Sequence, residues 1–363
     1  MKIKVLHVIN TTVPGGAETL LLNSLSPGGL CEYTENHLAF FMVQSYLLDR
    51  LDKNVKVHFL NYKGATDIFR LLRVLRKIIR DNKFDIIHTH LNPADVYSHI
   101  ACPPGVPQVH TMHTTYSMDN ETSPLRMLME KYIYLKGPAV NLINLSDYTR
   151  QDFLKSFPFK GESFVLNNFV ADDFFNINKK TSYEGGNELK LIAIGTLKPL
   201  KNFEYLLEVF KGLKDYNISL DIYGGGDTTK YQEIIDTYNL RVRMMGHSTS
   251  LKDLLPLYDM FIMPSKFEGF PLSIFEAMAA GVPVMVSDIP PLKSIIKENG
   301  IYFDLNNPSV VVQILLDIFN NKTNINVLAS NAKLYAEKTV RRDVYIRKLL
   351  NIYEVIIEKN KHK

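Results

Sequence analysis

No apolar run in this chain approaches the ~18 residues that a membrane-spanning helix needs, so no span is expected. Cysteine is scarce. Cys31 and Cys102 occur without metal-type spacing, which argues against a disulfide scaffold and suits a reducing compartment. Charge is nearly balanced at a net +4, too weak to argue for nucleic acid as a partner. There is no tandem repeat and no low-complexity segment. Also missing are a D-x-D metal-diphosphate clamp, a G-x-S-x-G nucleophile elbow, a G-x-x-x-x-G-K-[ST] phosphate loop and a helical H-E-x-x-H zinc site. The PGGAE run at 14–18 is not G-x-G-x-x-G, which weighs against a nicotinamide-dependent oxidoreductase.

What remains is an α/β pattern. At 363 residues the chain is long for one core, and two domains are expected. The basic, apolar opening MKIKVLHVIN is too short in its apolar part for a secretory signal and reads as a first strand. Strand-like runs follow near 37–43, 55–61, 85–90, 107–113, 140–145 and 164–169, with helical patterns at 17–25, 66–81 and 124–135 between them. Such alternation predicts a parallel sheet covered on both faces. Polar, glycine-containing residues 172–187 read as a linker between a domain at 1–171 and one at 188–343. In the second half, strands at 189–195, 219–223, 242–246 and 260–263 alternate with helices at 203–214, 229–238 and 251–257. An amphipathic helix ends the chain at 344–360. The expected fold is two doubly wound, Rossmann-like domains facing a central cleft.

The stretch PSKFEGFPLSIFEAMAAGVPVMVSD, 264–288, is the most informative. It reads as loop, helix and strand, with Pro271 suited to the first helical position and Gly281 to the position just past the end. Such a loop lies at the carboxyl edge of the sheet, where open α/β folds bind ligands, and the helix start offers free N–H groups to a phosphate. Glu268 sits in the loop and Glu276 inside the apolar helix. A carboxylate there needs a partner or a ligand, and an acid that accepts two ribose hydroxyls is one such use. A helix edge in water is the other reading for Glu276, and an ordinary loop acid the other for Glu268.

Glycines follow several strands: Gly15 and Gly16, Gly195, Gly224–Gly226 and Gly246. Each makes a tight turn; together at one edge they also suit close approach to a phosphate. Lys201 and Lys198, in the loop before the 203–214 helix, are both candidates to neutralise it, and Asn202 is a candidate cap for that helix. His88 and His90 share one strand face, and His110 and His113 the next. No thiolate joins them, so no metal site is expected, and His113 at a strand end suits a substrate contact.

These residues resemble the retaining glycosyltransferases of family 4, of GT-B fold, over nearly the whole chain. The strongest match is the E-x7-E segment from Glu268 to Glu276, followed by Ala277-Met278-Ala279 and Gly281-Val-Pro283. Gly15-Gly16-Ala17-Glu18, Asp85-Ile-Ile-His-Thr-His90, His113, Ser146, Asn168, Gly195-Thr-Leu with Lys201-Asn202, and Tyr223-Gly-Gly-Gly226 follow the same order. The resemblance implies a nucleotide-diphosphate sugar as donor and no metal. It implies a glycan or lipid-linked acceptor in bacterial cell-surface polysaccharide synthesis, and catalysis by Glu268, His113 and Lys201. Glu276 would meet the ribose, Glu268 the transferred sugar, and the backbone of Phe270, Pro271 and Leu272 the sugar and diphosphate. Lys201 would neutralise the diphosphate, Gly16 would close over it, His113 would face the sugar, and Gly246 and His247 would flank the base. The last helix would pack back onto the first domain. Thr196 stands where the family often has arginine, which leaves Lys201, with Lys198, to carry the phosphate charge. A non-catalytic nucleotide-sugar-binding protein of this fold is the alternative that Thr196 motivates.

A cytoplasmic protein is expected, with a peripheral membrane contact as an option. The 66–81 helix has an apolar stripe (Ile68, Leu71, Leu72, Leu75, Ile79) and basic residues elsewhere (Arg70, Arg73, Arg76, Lys77, Arg80). That suits an anionic lipid surface, but amphipathicity alone is generic, and a core-packed helix with a solvated basic face is the favoured reading.

Overall fold

A computed structural model describes residues 2–11, 15–42, 48–113, 140–156, 159–177, 182–248 and 250–362. The chain divides into two compact units: Met1–Asn168 with Arg342–Lys363, and Phe169–Arg341. The helix expected at 124–135 lies outside the described residues.

In unit 1 the strands are β1 (Ile3–Ile9), β2 (Thr34–Phe40), β3 (Lys56–Phe59), β4 (Ile86–His90), β5 (Gln108–Met112), β6 (Val140–Asn144) and β7 (Ser163–Val165). They form one sheet in the order β3-β2-β1-β4-β5-β6-β7, all parallel. The helices α1 (Gly16–Ser24), α2 (Ile68–Asn82), α3 (Ala94–Ala101) and α4 (Asp147–Ser156) connect them. β2 starts three residues before the expected 37, because polar Thr34 and Asn36 are buried and bonded to one another (2.8 Å) rather than ending the strand.

Helix α2 shows where its apolar stripe goes. Leu71, Leu75 and Ile79 are fully buried beside Leu6, Val8, Phe84 and Ile87. The stripe is therefore core, each such side chain contributing about 1.5–3 kcal/mol on burial. The opposite face keeps Arg73, Arg76, Lys77 and Arg80 exposed, and Phe69 stands 86% exposed.

Unit 2 begins with α5 (Asp172–Phe175) and continues β8 (Leu189–Ile194), α6 (Phe203–Lys211), β9 (Ile218–Tyr223), α7 (Thr229–Tyr238), β10 (Val242–Gly246), α8 (Leu251–Leu254), β11 (Met260–Met263), α9 (Leu272–Ala279), β12 (Val284–Ser287), α10 (Pro290–Ile296), β13 (Ile301–Phe303), α11 (Pro308–Phe319) and α12 (Ile325–Thr339). Its sheet runs β10-β9-β8-β11-β12-β13, again all parallel. β11 and β12, MFIM and VMVS, are buried throughout, as strands covered on both faces must be. The 172–187 stretch, read from sequence as a linker, belongs to unit 2. Phe174 and Phe175 are buried in α5, and buried Tyr183 exchanges two hydrogen bonds with Asn326 through its own N–H and C=O. Val170 N–H bonds Val340 O (2.9 Å), so the unit closes on itself near both ends.

The last helix, α13 (Arg342–Lys361), belongs to unit 1. It buries Leu349, Ile352, Tyr353 and Ile356, and Tyr353 OH meets His88 Nδ1 at 2.6 Å.

In each sheet the strand order reverses beside the first strand, between β1 and β4 and between β8 and β11. Ligands of open α/β sheets bind outside the carboxyl ends at such a point.

Candidate active site

The carboxyl edge of unit 2 is a rim of four loops tied side by side. Gly224 N–H donates to Gly246 O at 2.8 Å, Gly195 N–H to Tyr223 O at 2.9 Å, Leu197 N–H to Gly225 O at 2.9 Å, and Lys266 N–H to Leu200 O at 2.8 Å. The loops after β10, β9, β8 and β11 thus form one backbone network across the switch point. Glycine at 224 is required by that contact, since a Cβ there would stand 1.8 Å from Gly195 O.

Gly195 also seats the stem of Lys201. A Cβ on Gly195 would lie 3.3 Å from Lys201 Cδ and Cε. Lys201 closes a short 3-10 turn, Pro199–Lys201, and its Nζ bonds Glu268 Oε1 at 2.7 Å. Lys198 is exposed and has no ion pair among the described residues. Asn202 adopts a left-handed conformation (φ 55) and makes no side-chain cap, contrary to the sequence expectation. Its carbonyl accepts from Tyr205 N–H instead. Thr196 is exposed in the same loop.

Glu268 is buried and accepts a second hydrogen bond on the same Oε1, from Ser265 Oγ at 2.5 Å. Beyond it, Phe270 stacks on Phe275 with centroids 4.7 Å apart. Pro271 is one position earlier than expected: with ψ 102 it is extended and serves as the N-cap, and α9 starts at Leu272. Proline brings no side-chain acceptor, so the N–H groups of Leu272 and Ser273 have no partner among the described residues and stay open to an anion. At the other end Gly281 (φ 74) completes a Schellman closure, with its N–H on Met278 O (3.0 Å) and Val282 N–H on Ala277 O (2.9 Å).

Glu276 lies on the half-open face of α9 with Leu272 and Ser273. No hydrogen bond or ion pair holds its carboxylate among the described residues. Burial pushes its pKa up to about 7, and the charge of Asp173 on α5 adds to the shift. A carboxylate with no partner among the described residues, at the carboxyl edge of the sheet, can take hydroxyls. Gly246 (φ 71) and exposed His247 end the neighbouring β10 edge. A third acid, Asp221, is fully accounted for. Arg243 grips it at 2.7 and 2.6 Å, and Tyr258 OH donates to it at 2.6 Å, bracing β9, β10 and the start of β11.

In unit 1 the loops after β1 and β4 are also tied, by Asn10. Its amide donates to Asn92 O (2.6 Å) and accepts from Ala94 N–H (3.1 Å). Gly16 opens α1, exposed, with nothing within 4 Å of where a Cβ would lie. Glu18 folds back against Gly15, and burial raises its pKa. The strand register puts His7 directly beside His88. His88 and His90 lie 4.1 Å apart ring to ring, and His90 Nδ1 meets His113 Nε2 at 3.4 Å. Burial lowers the pKa of His7 and His113 to about 4 and that of His110 to about 3, and His88 and His90 are lowered as well. The stack is therefore neutral near pH 7. Ring nitrogens of His7, His88 and His90 lie within 4.8 Å of one another, the spacing of a possible metal group. Both nitrogens of His88 are already engaged, with Tyr353 OH (2.6 Å) and Thr111 Oγ1 (2.7 Å), so hydrogen bonding accounts for that ring without an ion.

Residues 174–335 match the family model described as "Glycosyl transferases group 1", and residues 33–174 match "Glycosyltransferase Family 4". The chain belongs to glycosyltransferase family 4. This glycosyltransferase is 28% identical over 316 residues to the Escherichia coli UDP-Gal:alpha-D-GlcNAc-diphosphoundecaprenol alpha-1,3-galactosyltransferase, covering 79% of this chain and 80% of that protein. It is 27% identical over 234 residues to the Staphylococcus aureus poly(ribitol-phosphate) alpha-N-acetylglucosaminyltransferase, covering 62% of this chain and 46% of that protein. Among solved structures, Anabaena HepE in complex with UDP aligns with a TM-score of 0.81 at 16% identity, over 97% of this chain and 100% of that one. A Rickettsia africae glycosyltransferase aligns with a TM-score of 0.80 at 19% identity, over 98% and 99%. At such identities the structural likeness speaks to fold, and the fold of this glycosyltransferase is GT-B.

The sequence singled out Glu268, Glu276, Lys201 and Phe270–Leu272, and the structure gathers them on one rim. Ser265 and Asp173 were missed. A serine after a strand carries no spacing signal, and Asp173 stood in the presumed linker.

Proposed function

We propose that this family 4 enzyme is retaining and metal-independent, and that it moves a sugar from a nucleotide-diphosphate sugar to a hydroxyl of a glycan or lipid-linked acceptor in cell-surface polysaccharide synthesis. The observation that carries the proposal is the Lys201–Glu268 pair at 2.7 Å beside the uncapped start of α9. Departure of a nucleoside diphosphate builds negative charge on phosphate oxygens and positive character on the sugar. A fixed ammonium and open helix N–H groups stabilise the first without reorganising, and a fixed carboxylate faces the second. In this reading Lys201 and the backbone of Phe270, Pro271 and Leu272 hold the diphosphate, Glu268 holds a hydroxyl of the sugar, and Glu276 accepts the ribose hydroxyls. Gly246 and His247 lie by the base. The roles that the resemblance gives Gly16 and His113, on the phosphates and the sugar, stay part of the proposal. With its pKa lowered to about 4, His113 would act there as a neutral hydrogen-bonding group. The leaving phosphate would take the acceptor's proton, so that no protein carboxylate need become covalently attached.

The names of the relatives support the substrate classes: a UDP-sugar and a diphosphoundecaprenol-linked sugar in one, a poly(ribitol-phosphate) chain in the other. Undecaprenol is a membrane lipid, and for an acceptor of that class we assign the exposed basic face of α2 to an anionic lipid surface on the cytoplasmic side. No helix among the described residues is long and apolar enough to cross a membrane.

Nucleoside diphosphate release from a panel of UDP- and GDP-sugars tests the activity. Glu268→Ala is expected to lower kcat by about a hundredfold, the scale of one lost transition-state contact. Glu276→Ala is expected mainly to raise the donor KM. EDTA is expected to leave the rate unchanged. Wild-type kinetics in both variants would overturn the site assignment.

A further inference from the structure

We infer that Ser265 is a positioning residue that commits one oxygen of Glu268 to the protein and turns the other toward the donor sugar. The inference rests on the proposed reading of Glu268 as the sugar contact. Oε1 accepts from Ser265 Oγ at 2.5 Å and from Lys201 Nζ at 2.7 Å. Two donors fill the two lone-pair directions of one carboxylate oxygen. Oε2 has no partner among the described residues. Glu268 is only 7% exposed, and Oε2 is not among the fully enclosed unpartnered atoms, so the unshared oxygen sits in a mostly buried group and still reaches the surface where a ligand would meet it.

Ser265 is itself fixed from behind. It is fully buried, directly after Pro264, and its carbonyl accepts from Ser287 Oγ at 2.5 Å. Ser287, at the end of β12, is fully buried too. The chain β12–Ser287–Ser265–Glu268 therefore transmits the rigidity of the sheet to the carboxylate. A lysine alone would not do this, because an ammonium is a point charge on a flexible stem and leaves the plane of the carboxylate undefined.

Two consequences follow for the donor. Glu268 acts as a one-oxygen acceptor, selecting a single sugar hydroxyl rather than a diol. Lys201 has given one of its three N–H groups to Oε1 and keeps two for phosphate oxygens. It need not release Glu268 when the donor binds. The ion pair stays closed and links the sugar contact to the diphosphate contact, so a sugar hydroxyl misplaced by an epimeric change is felt at the phosphate.

The test uses the full chain, UDP as the binding probe, and nucleoside diphosphate release from whichever nucleotide sugar the wild type turns over fastest. Ser265→Ala is expected to lower kcat about tenfold, as loss of a hydrogen bond to a charged group would, with UDP affinity unchanged within about twofold. The double variant Ser265→Ala/Glu268→Ala is expected to be no slower than Glu268→Ala alone, because Ser265 acts through Glu268. Effects that multiply would assign Ser265 a merely structural role and overturn the inference, as would an unchanged kcat in Ser265→Ala. Ser265→Cys, which keeps the volume and weakens the donor, gives the same reading if the alanine variant does not fold: a reduced kcat with retained UDP binding supports the inference, and wild-type kcat overturns it. A wild-type kcat in Glu268→Ala would instead remove the sugar-contact reading itself.

Discussion

Glu276 carries a pH signature that separates its two possible uses. Burial first, and the Asp173 charge second, raise its pKa from 4.5 to about 7. The native state therefore holds this proton more tightly than the unfolded chain. The stability it contributes is fully present below about pH 4.5 and is lost as pH rises through about 7. In Glu276→Gln that part of the slope should vanish, which urea unfolding across this range measures. Binding runs the other way. Ribose hydroxyls donate best to the ionised carboxylate, so UDP affinity should increase as pH rises through about 7 and then level off. Calorimetry should find a proton released on binding, and Glu276→Gln should bind UDP weakly with no such rise. A wild-type affinity flat across this range would sink the ribose assignment. This acid was visible in the sequence because a charge inside FPLSIFEAMAAG demands an explanation. Asp173 was not, because the polar residues around it hide that Phe174 and Phe175 anchor a helix of unit 2.

Helix α9 and its flanking loops were legible almost whole, since proline and glycine mark its ends by backbone geometry alone. The one-residue error at Pro271 has a physical source: proline fits both the N-cap and the first helical position, and only ψ distinguishes them. Gly281 at φ 74 is the position where a side chain is costly. Gly281→Ala should lower unfolding stability by about 1–2 kcal/mol, read as a shifted urea midpoint. Space is not the obstacle, since the nearest atom to a Cβ there is Lys333 Cδ at 3.8 Å. Helix α2 was legible as amphipathic, but periodicity names two faces without saying what covers either. The structure buries Leu71, Leu75 and Ile79 and leaves the basic face open. Among the described residues Arg76 on that face bonds the carbonyls of Ile100 and Ala101, at 2.9 and 3.2 Å, and pairs with no acid, so its charge is uncompensated by these contacts. If that face meets an anionic surface, Arg73→Glu with Arg80→Glu should lower binding to phosphatidylglycerol-containing vesicles. About 1 kcal/mol per lost cation is expected, with no effect on phosphatidylcholine alone. Equal sedimentation of the double variant and wild type would exclude α2 as the contact.

Across the whole molecule, strand-helix alternation was enough to expect two parallel sheets, because parallel strands require covered crossovers and the chain supplies them repeatedly. It was not enough to assign the chain's ends. Helix α13 follows unit 2 in sequence yet belongs to unit 1, and its pattern alone does not say which core its apolar side receives. Its attachments are specific: Tyr353 OH on His88 Nδ1 (2.6 Å), Arg342 on Ser26 O (2.7 Å), and Asn360 on Gly105 O (2.8 Å). Ending the chain at residue 341 would expose the faces that Leu349, Ile352 and Ile356 cover and would leave His88 short of a partner. Unit 1 should then lose cooperative unfolding, while unit 2 keeps all four rim loops and both acids of its site. Every UDP contact proposed above except that of Gly16 comes from unit 2, so the shortened chain should still bind UDP, weakened by no more than the loss of that one contact. UDP at ~100 times its dissociation constant should stabilise unit 2 by ~2.7 kcal/mol in both forms. Hydrogen exchange should localise that protection to the loops at 195–202, 224–228 and 264–272. Loss of UDP binding from a unit 2 that remains folded would show that the nucleotide site draws on residues outside Phe169–Arg341, and would overturn its assignment to that unit.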